Sequence, residues 1–201
     1  MTLLKRRGAL AALVALVAAT LAACSAEQKP AFKGIDITGA EYARQLALPD
    51  ASGKPRTLDD FKGKVVVVFF GFTQCPDVCP TTLAEIAEIK QKLGADGAKV
   101  QAVFVTVDPE RDTPEIVGAY VAAFGTDFIA LRGTLEQTQA AAKEFKVFFA
   151  KVPGKTAGSY TLDHTAGSFV FDPKGKVRLF VRQGGGVDAM AGDIKLLLGG
   201  A

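Results

Sequence analysis

Two cysteines stand four positions apart in Gly71-Phe72-Thr73-Gln74-Cys75-Pro76-Asp77-Val78-Cys79-Pro80, where an apolar run gives way to a helical pattern. At positions i and i+4 around a first helical turn, two sulfurs project toward one point. A helix N-terminus favours the thiolate, the form that attacks disulfides and ligates metals. Such a pair fits a structural staple, a redox couple or a metal clamp. A disulfide across three intervening residues closes a tiny loop and gains little chain entropy, so the staple explains least. The usual redox pair has two residues between its cysteines. Pro76-Asp77-Val78 makes three here, which widens the pair and leaves room for an ion.

The chain contains one histidine, His164, in Tyr160-Thr161-Leu162-Asp163-His164-Thr165. A solitary histidine is in isolation more often a surface or hydrogen-bonded core residue than a ligand. This one precedes the strand-like Ser168 to Asp172, which brings it toward the sheet end where the Cys79 helix begins, and Asp163 stands beside it. Two soft thiolates and one imidazole suit Cu(I), which tolerates three ligands; with an added water or carboxylate they hold Cu(II). Structural zinc wants a fourth protein ligand, which Asp77 or Asp163 could supply. Copper capture by methionine is not expected, because Met190, the one methionine beyond Met1, sits on an apolar helical stripe suited to core packing.

The elements that must position these groups show in the hydrophobic pattern. Val65 to Phe72 is β-branched and aromatic without alternation, as in a strand buried on both faces. Pro80 suits a first helical turn, and Leu83, Ile86, Ala87 and Leu93 share one face up to Gly94. Val100 to Val107 is a second apolar strand, ended by Asp108-Pro109. Pro114 opens a helix with Ile116, Val117, Tyr120 and Phe124 on a stripe, ending at Gly125; a short strand, Phe128 to Leu131, and a helix, Leu135 to Phe145, follow. Hairpins are predicted for 147–152 with 159–162, for 168–172 with 176–182, and within Ile35 to Leu58; Val187, Met190, Ile194 and Leu197 mark a final helix. This is the element order of an α/β, thioredoxin-like fold with an N-terminal β-hairpin extension and an inserted hairpin before the His-bearing strand. There is no internal repeat, and Gly184-Gly185-Gly186 lacks the context of a phosphate cradle. In the loop Asp108 to Pro114, Asp112 or Thr113 is expected to cap the next helix and Glu110 and Arg111 to be solvated charge, with no ligand role and at most a partner surface.

The N-terminus carries Lys5, Arg6 and Arg7, then an Ala/Leu/Val run from Ala9 to Ala23 with one threonine, then Leu21-Ala22-Ala23-Cys24. A basic opening, an apolar stretch short for a membrane span and small residues before a cut read as a secretory signal over 1–23. The last four residues resemble a bacterial lipobox, which implies cleavage before Cys24 and its acylation; an uncleaved anchor is the alternative. A lipid anchor at the periplasmic face of a bacterial membrane is expected, with a polar tether over 24–34 and the folded domain over 35–201. Residues 1–23 hold three basic and no acidic side chains, so their removal takes the net charge from +3 to zero. With no basic stripe in the remainder, nucleic acid is not an expected partner. Cys75 and Cys79 are then the two thiols to be explained, in a compartment that favours disulfides.

With these residues in hand, the chain resembles the Sco family, also called SenC: copper-handling proteins of thioredoxin-like fold associated with cytochrome c oxidase assembly. The resemblance rests on Gly71 to Pro80, on Val105-Thr106-Val107-Asp108-Pro109-Glu110-Arg111-Asp112-Thr113-Pro114, and on Asp163-His164 followed by Phe171-Asp172-Pro173. It implies that Cys75, Cys79 and His164 bind one copper ion, as Cu(I) and Cu(II), in a metallochaperone rather than an enzyme. The implied partner is cytochrome c oxidase subunit II, whose binuclear copper centre it helps to build, or another cuproprotein. Many relatives carry histidine where this chain has Gln74. Asp77 and Asp163 are expected either to support the ligands electrostatically or to be ordinary turn and helix-start carboxylates. The alternative activity is a thiol-disulfide oxidoreductase, with Cys75 and Cys79 as its redox pair, that keeps cuproprotein cysteines reduced.

Overall fold

The run Val65-Val66-Val67-Val68-Phe69-Phe70-Gly71 offers no polar side chain to solvent on either face, and it forms a strand buried along its whole length. The computed structural model describes residues 31–201. The expected signal segment, Cys24 and the tether as far as Pro30 lie outside the described residues. In chain order the strands are β1 (Ile35–Asp36), β2 (Ala47–Pro49), β3 (Pro55–Thr57), β4 (Val65–Gly71), β5 (Val100–Thr106), β6 (Ile129–Leu131), β7 (Phe149–Pro153), β8 (Tyr160–His164), β9 (Gly167–Phe171) and β10 (Val177–Arg182). The helices are α1 (Val78–Lys92), α2 (Pro114–Ala122), α3 (Leu135–Glu144) and α4 (Val187–Leu198).

Six strands make one sheet in the order β1-β10-β9-β4-β5-β6. β4, β5 and β6 run parallel, joined through α1 and α2, and β9 and β10 continue the sheet antiparallel. The β4–β5 register pairs Val65 with Val100 and Gly71 with Thr106, so both strands end at one edge of the sheet. Their valine and phenylalanine side chains are all buried, each worth about 1.5–3 kcal/mol. Ligand sites in open α/β sheets sit beyond such carboxyl ends. The loop holding Cys75 starts there.

α1 follows the expected stripe, with Leu83, Ile86 and Ile89 buried and Leu93 closing the helix. On α2 the buried pair is Val117 and Val121, while Ile116 is 46% exposed, against the expectation that it joins the stripe. An i, i+4 pair sets the inward direction, and Ile116 lies about 100° away from Val117. The N-terminal hairpin is shorter than expected: β2 pairs with β3, but Ile35 and Asp36 join the main sheet beside β10. Lys33 and Gly34 donate backbone hydrogen bonds to the buried carboxylate of Asp193 on α4, at 2.9 and 2.7 Å. Among the described residues, no helix is long and apolar enough to cross a membrane.

At the turn of the β2–β3 hairpin, Asp50 accepts hydrogen bonds from Ser52 N (2.9 Å), Ser52 Oγ (2.6 Å), Lys54 N (3.1 Å) and Arg56 Nε (2.8 Å). Burial alone would raise its pKa, but these donors outweigh it and hold the carboxyl at about 2, below its ordinary 3.8. Because the folded-state value is the lower one, the stabilisation is present above about pH 4 and lost as the pH falls toward 2. Asp50→Asn is expected to cost about 1 kcal/mol at neutral pH and to flatten the loss of stability on acidification. Urea unfolding at pH 7 and pH 3 checks this; equal midpoints for variant and parent at pH 7 would refute it.

Candidate metal centre

Each sulfur owes its place to a different constraint. Gly71 ends β4, and a Cβ there would stand 2.9 Å from Cys79 Sγ, Phe104 Cε2 and Phe69 Cε1, so only glycine lets the sulfur pack against the strand. Cys79, in the first turn of α1, is fully buried, and Cys75, in the preceding loop, keeps 9% of its surface. The backbone N–H of Cys79 donates to Cys75 Sγ at 3.4 Å, so the helix terminus faces that sulfur. Both thiols are free.

The imidazole comes from the inserted hairpin. Along β8, Leu162 and His164 turn inward while Thr161 and Asp163 turn outward, as strand alternation requires. His164 is the last residue of that hairpin's second strand, rather than part of the strand after it: the β7–β8 ladder runs from Pro153–Tyr160 to Phe149–His164. Its ring meets Phe72 and Phe69 edge-on, at centroid distances of 5.8 and 6.2 Å. Nδ1 lies 3.1 Å from the carbonyl oxygen of Thr165, which can only accept, so Nδ1 carries the proton and Nε2 presents a lone pair. Nε2 lies 3.7 Å from Cys79 Sγ.

Cys75 Sγ, Cys79 Sγ and a His164 ring nitrogen thus lie within 4.8 Å of one another. Donors bound to one ion at about 2.0–2.3 Å stand roughly 3.5–4 Å apart, so this set closes on a single ion with little movement. Two soft sulfurs and one nitrogen fit copper, and Asp77 and Asp163 do not join the group as the fourth ligand that zinc would want. Asp77 is exposed and accepts one long hydrogen bond from Thr81 Oγ1 (3.4 Å), without capping α1. Asp163 acts on His164 only through its charge.

The expected lowering of thiol pKa at the helix mouth is reversed at Cys79. Burial pushes this thiol far above its ordinary value, and the neighbouring Cys75 adds to the rise. Burial likewise lowers His164, against opposing contributions from the Thr165 carbonyl and Asp163, so the ring is neutral near pH 7 and its Nε2 is open to a cation.

Residues 36–199 match the family model described as SCO1/SenC. The chain belongs to the SCO1/SenC family. The SCO2-like protein of Rickettsia felis is 38% identical over 130 residues, which are 64% of this chain and 63% of that protein, so the chain spans less than two thirds of this relative's length. The structure of Bradyrhizobium japonicum ScoI with copper bound superposes with a TM-score of 0.69 at 38% identity, covering 77% of this chain and 98% of that one. The solution structure of apo Sco1 from Thermus thermophilus gives 0.75 at 38% identity, over 85% and 99%. The expected thioredoxin-like α/β fold is borne out by these neighbours.

Within this SCO1/SenC chain, the loop from Asp108 to Asp112 meets part of the expectation, with Glu110 exposed and Thr113 as the cap, while Arg111 and Asp112 take other roles. Thr113 alone caps α2, accepting from Ile116 N. Asp112, fully buried, turns back to accept from Thr73 N (3.1 Å), Thr73 Oγ1 (2.6 Å) and Thr106 Oγ1 (2.5 Å), which fixes the start of the cysteine loop to β5. Arg111 is half-enclosed: its Nε donates to Asp108 Oδ2 and its Nη1 to Gln74 Oε1 (3.0 Å) and the Tyr160 carbonyl (2.8 Å). Sequence reasoning missed this cluster, although two aspartates flanking an arginine just past a buried strand were its visible signal.

Proposed function

We propose that this protein carries one copper ion on Cys75 Sγ, Cys79 Sγ and His164 Nε2 and delivers it during assembly of the copper centre of cytochrome c oxidase, in subunit II, or to another cuproprotein. The observation that carries this is the meeting of three soft or borderline donors from three separate elements, with Nδ1 already committed to a carbonyl. The copper-bound ScoI of Bradyrhizobium japonicum, at 38% identity, supports the choice of metal. Transfer proceeds by ligand exchange: an acceptor thiolate enters, one of the three donors leaves, and the ion is never free. The N-terminal sequence supports a location at the periplasmic face of a bacterial membrane through acylated Cys24, with 1–23 removed and 24–34 as tether.

Removal of the imidazole is the direct test. His164→Ala is expected to weaken Cu(I) moderately and Cu(II) severely, because two thiolates satisfy the softer ion and Cu(II) needs the nitrogen. Chelator competition in both oxidation states measures this, and X-ray absorption on the reduced, Cu(I)-loaded protein counts two sulfurs and one nitrogen. Parent-like retention of both states by His164→Ala would overturn the three-ligand site.

A second role is favoured by the two free thiols standing within 4.8 Å. Cys75 and Cys79 close to a disulfide and pass two electrons and two protons to an acceptor disulfide, which opens to two thiols. Turnover by copper-free protein, undiminished in His164→Ala, would establish it; no turnover would dismiss it.

A further inference from the structure

Building on the copper function proposed above, we infer that Arg111 is a positioning residue that holds the β7–β8 hairpin over the two sulfurs, so that His164 reaches the metal position only while this guanidinium is clamped. β7 and β8 form a two-stranded sheet of their own, outside the six-stranded one. Their ladder and the Thr165 N–H donated to the Phe148 carbonyl close the hairpin on itself and do not fix it to the body. The side-chain hydrogen bonds that tie its strands to the body, the His164 contact aside, run to the 108–111 turn. One of them, Lys151 Nζ to Glu110 Oε2, joins two half-exposed groups and contributes little. The others centre on Tyr160: its carbonyl accepts from Arg111 Nη1, its hydroxyl donates to Asp108 Oδ1 at 2.9 Å, and its ring lies 3.7 Å beneath the guanidinium carbon.

Tyr160 and His164 are the two ends of one strand, about 13 Å apart at 3.3 Å per residue, so the anchorage of the first sets the lean of the second. Through the same Nη1, Arg111 also holds Gln74, the neighbour of Cys75. The turn beneath is fixed: Asp108 and Asp112 are buried, and Arg132 donates to the carbonyls of Asp112 and Pro109, each at 2.8 Å. One planar fork therefore joins a fixed turn, the thiol loop and the imidazole hairpin. Three acceptors in fixed directions and a stacked ring are what a guanidinium satisfies and an ammonium does not.

The single imidazole makes the test clean, since its nitrogen signals need no assignment. Arg111→Ala, Arg111→Lys and His164→Ala are compared with the parent by long-range proton–nitrogen spectra of the copper-free proteins, by Cu(I) and Cu(II) chelator competition, and by urea unfolding. In Arg111→Ala the copper-free imidazole signals are expected to move toward those of a solvated ring exchanging tautomers. Cu(II) affinity is expected to fall about 10- to 100-fold, and Cu(I) affinity less. Arg111→Lys restores neither. An imidazole spectrum and Cu(II) affinity equal to the parent's in Arg111→Ala, with both lost in His164→Ala, would overturn the positioning role and leave the copper function standing. Should His164→Ala bind copper like the parent, the three-ligand site fails, while the Arg111→Ala imidazole shift still decides whether the guanidinium positions the ring. If Arg111→Ala does not populate a native state, Arg111→Lys, which keeps a cation beside the buried Asp108 but cannot hold the three acceptors together, decides by the same spectra: an unmoved imidazole overturns the role.

Discussion

Cys79→Ser is expected to abolish tight Cu(I) binding while the protein stays folded. The hydroxyl that replaces the sulfur is a hard donor that does not ionise near neutral pH, and Cys75 and His164 alone cannot complete a three-ligand set. The substitution places a polar group in a fully buried position against Phe69 and Phe104, at a stability cost of about 1–2 kcal/mol, within what a domain of this size tolerates. Because burial keeps the Cys79 thiol protonated in the metal-free protein, each ion seated on that sulfur must expel its proton. The serine variant is therefore also expected to release fewer protons when copper is added. Cu(I) titration against a chelator, with circular dichroism for the fold, measures the first effect. Parent-like affinity in the variant would mean that the ion sits elsewhere.

Asp112→Ala is expected to destabilise the fold by about 3 kcal/mol or more, since it strips one buried and two part-buried donors of their acceptor. For a chain of this length that lowers Tm by about 6–12 °C. The conservative variant separates acceptor count from shape. An asparagine whose oxygen takes the place of Oδ2 keeps the bonds from Thr73 N and Thr106 Oγ1 but turns an amide N–H₂ toward Thr73 Oγ1. Asp112→Asn is thus expected to lose roughly half as much. Thermal unfolding of the two variants tests this, and an alanine variant as stable as the parent would show that the cluster contributes nothing.

What the sequence made legible follows from what its periodicity encodes. β4 and β5 were readable because their apolar runs do not alternate, and His164 because it stands just before the strand-like Ser168 to Asp172, at the sheet end where the Cys79 helix begins. The partners of Asp112 were not readable. Thr73 and Thr106 are 39 and 6 positions away, and an aspartate before a helix carries the same letter whether it caps that helix or turns back under the sheet. Thr113 took the cap, which left Asp112 free for the buried role. The direction of the Cys79 shift was hidden for a related reason: a helix start shows in the sequence, but the depth at which its first turn is buried depends on Gly71, Phe69 and Phe104 meeting from two strands. Likewise, nothing local distinguishes Ile35, paired with Phe180 across the sheet, from the first strand of a hairpin.

The missing side chain at Gly71 also orders the traffic through this centre. With the inner sulfur walled by carbon on the strand side and wholly out of solvent, a thiol, oxidant or acceptor protein arriving from bulk water can touch only the outer one, at Cys75. In the thiol-disulfide exchange proposed above, a mixed disulfide would therefore form at Cys75, with Cys79 as the group that resolves it from within.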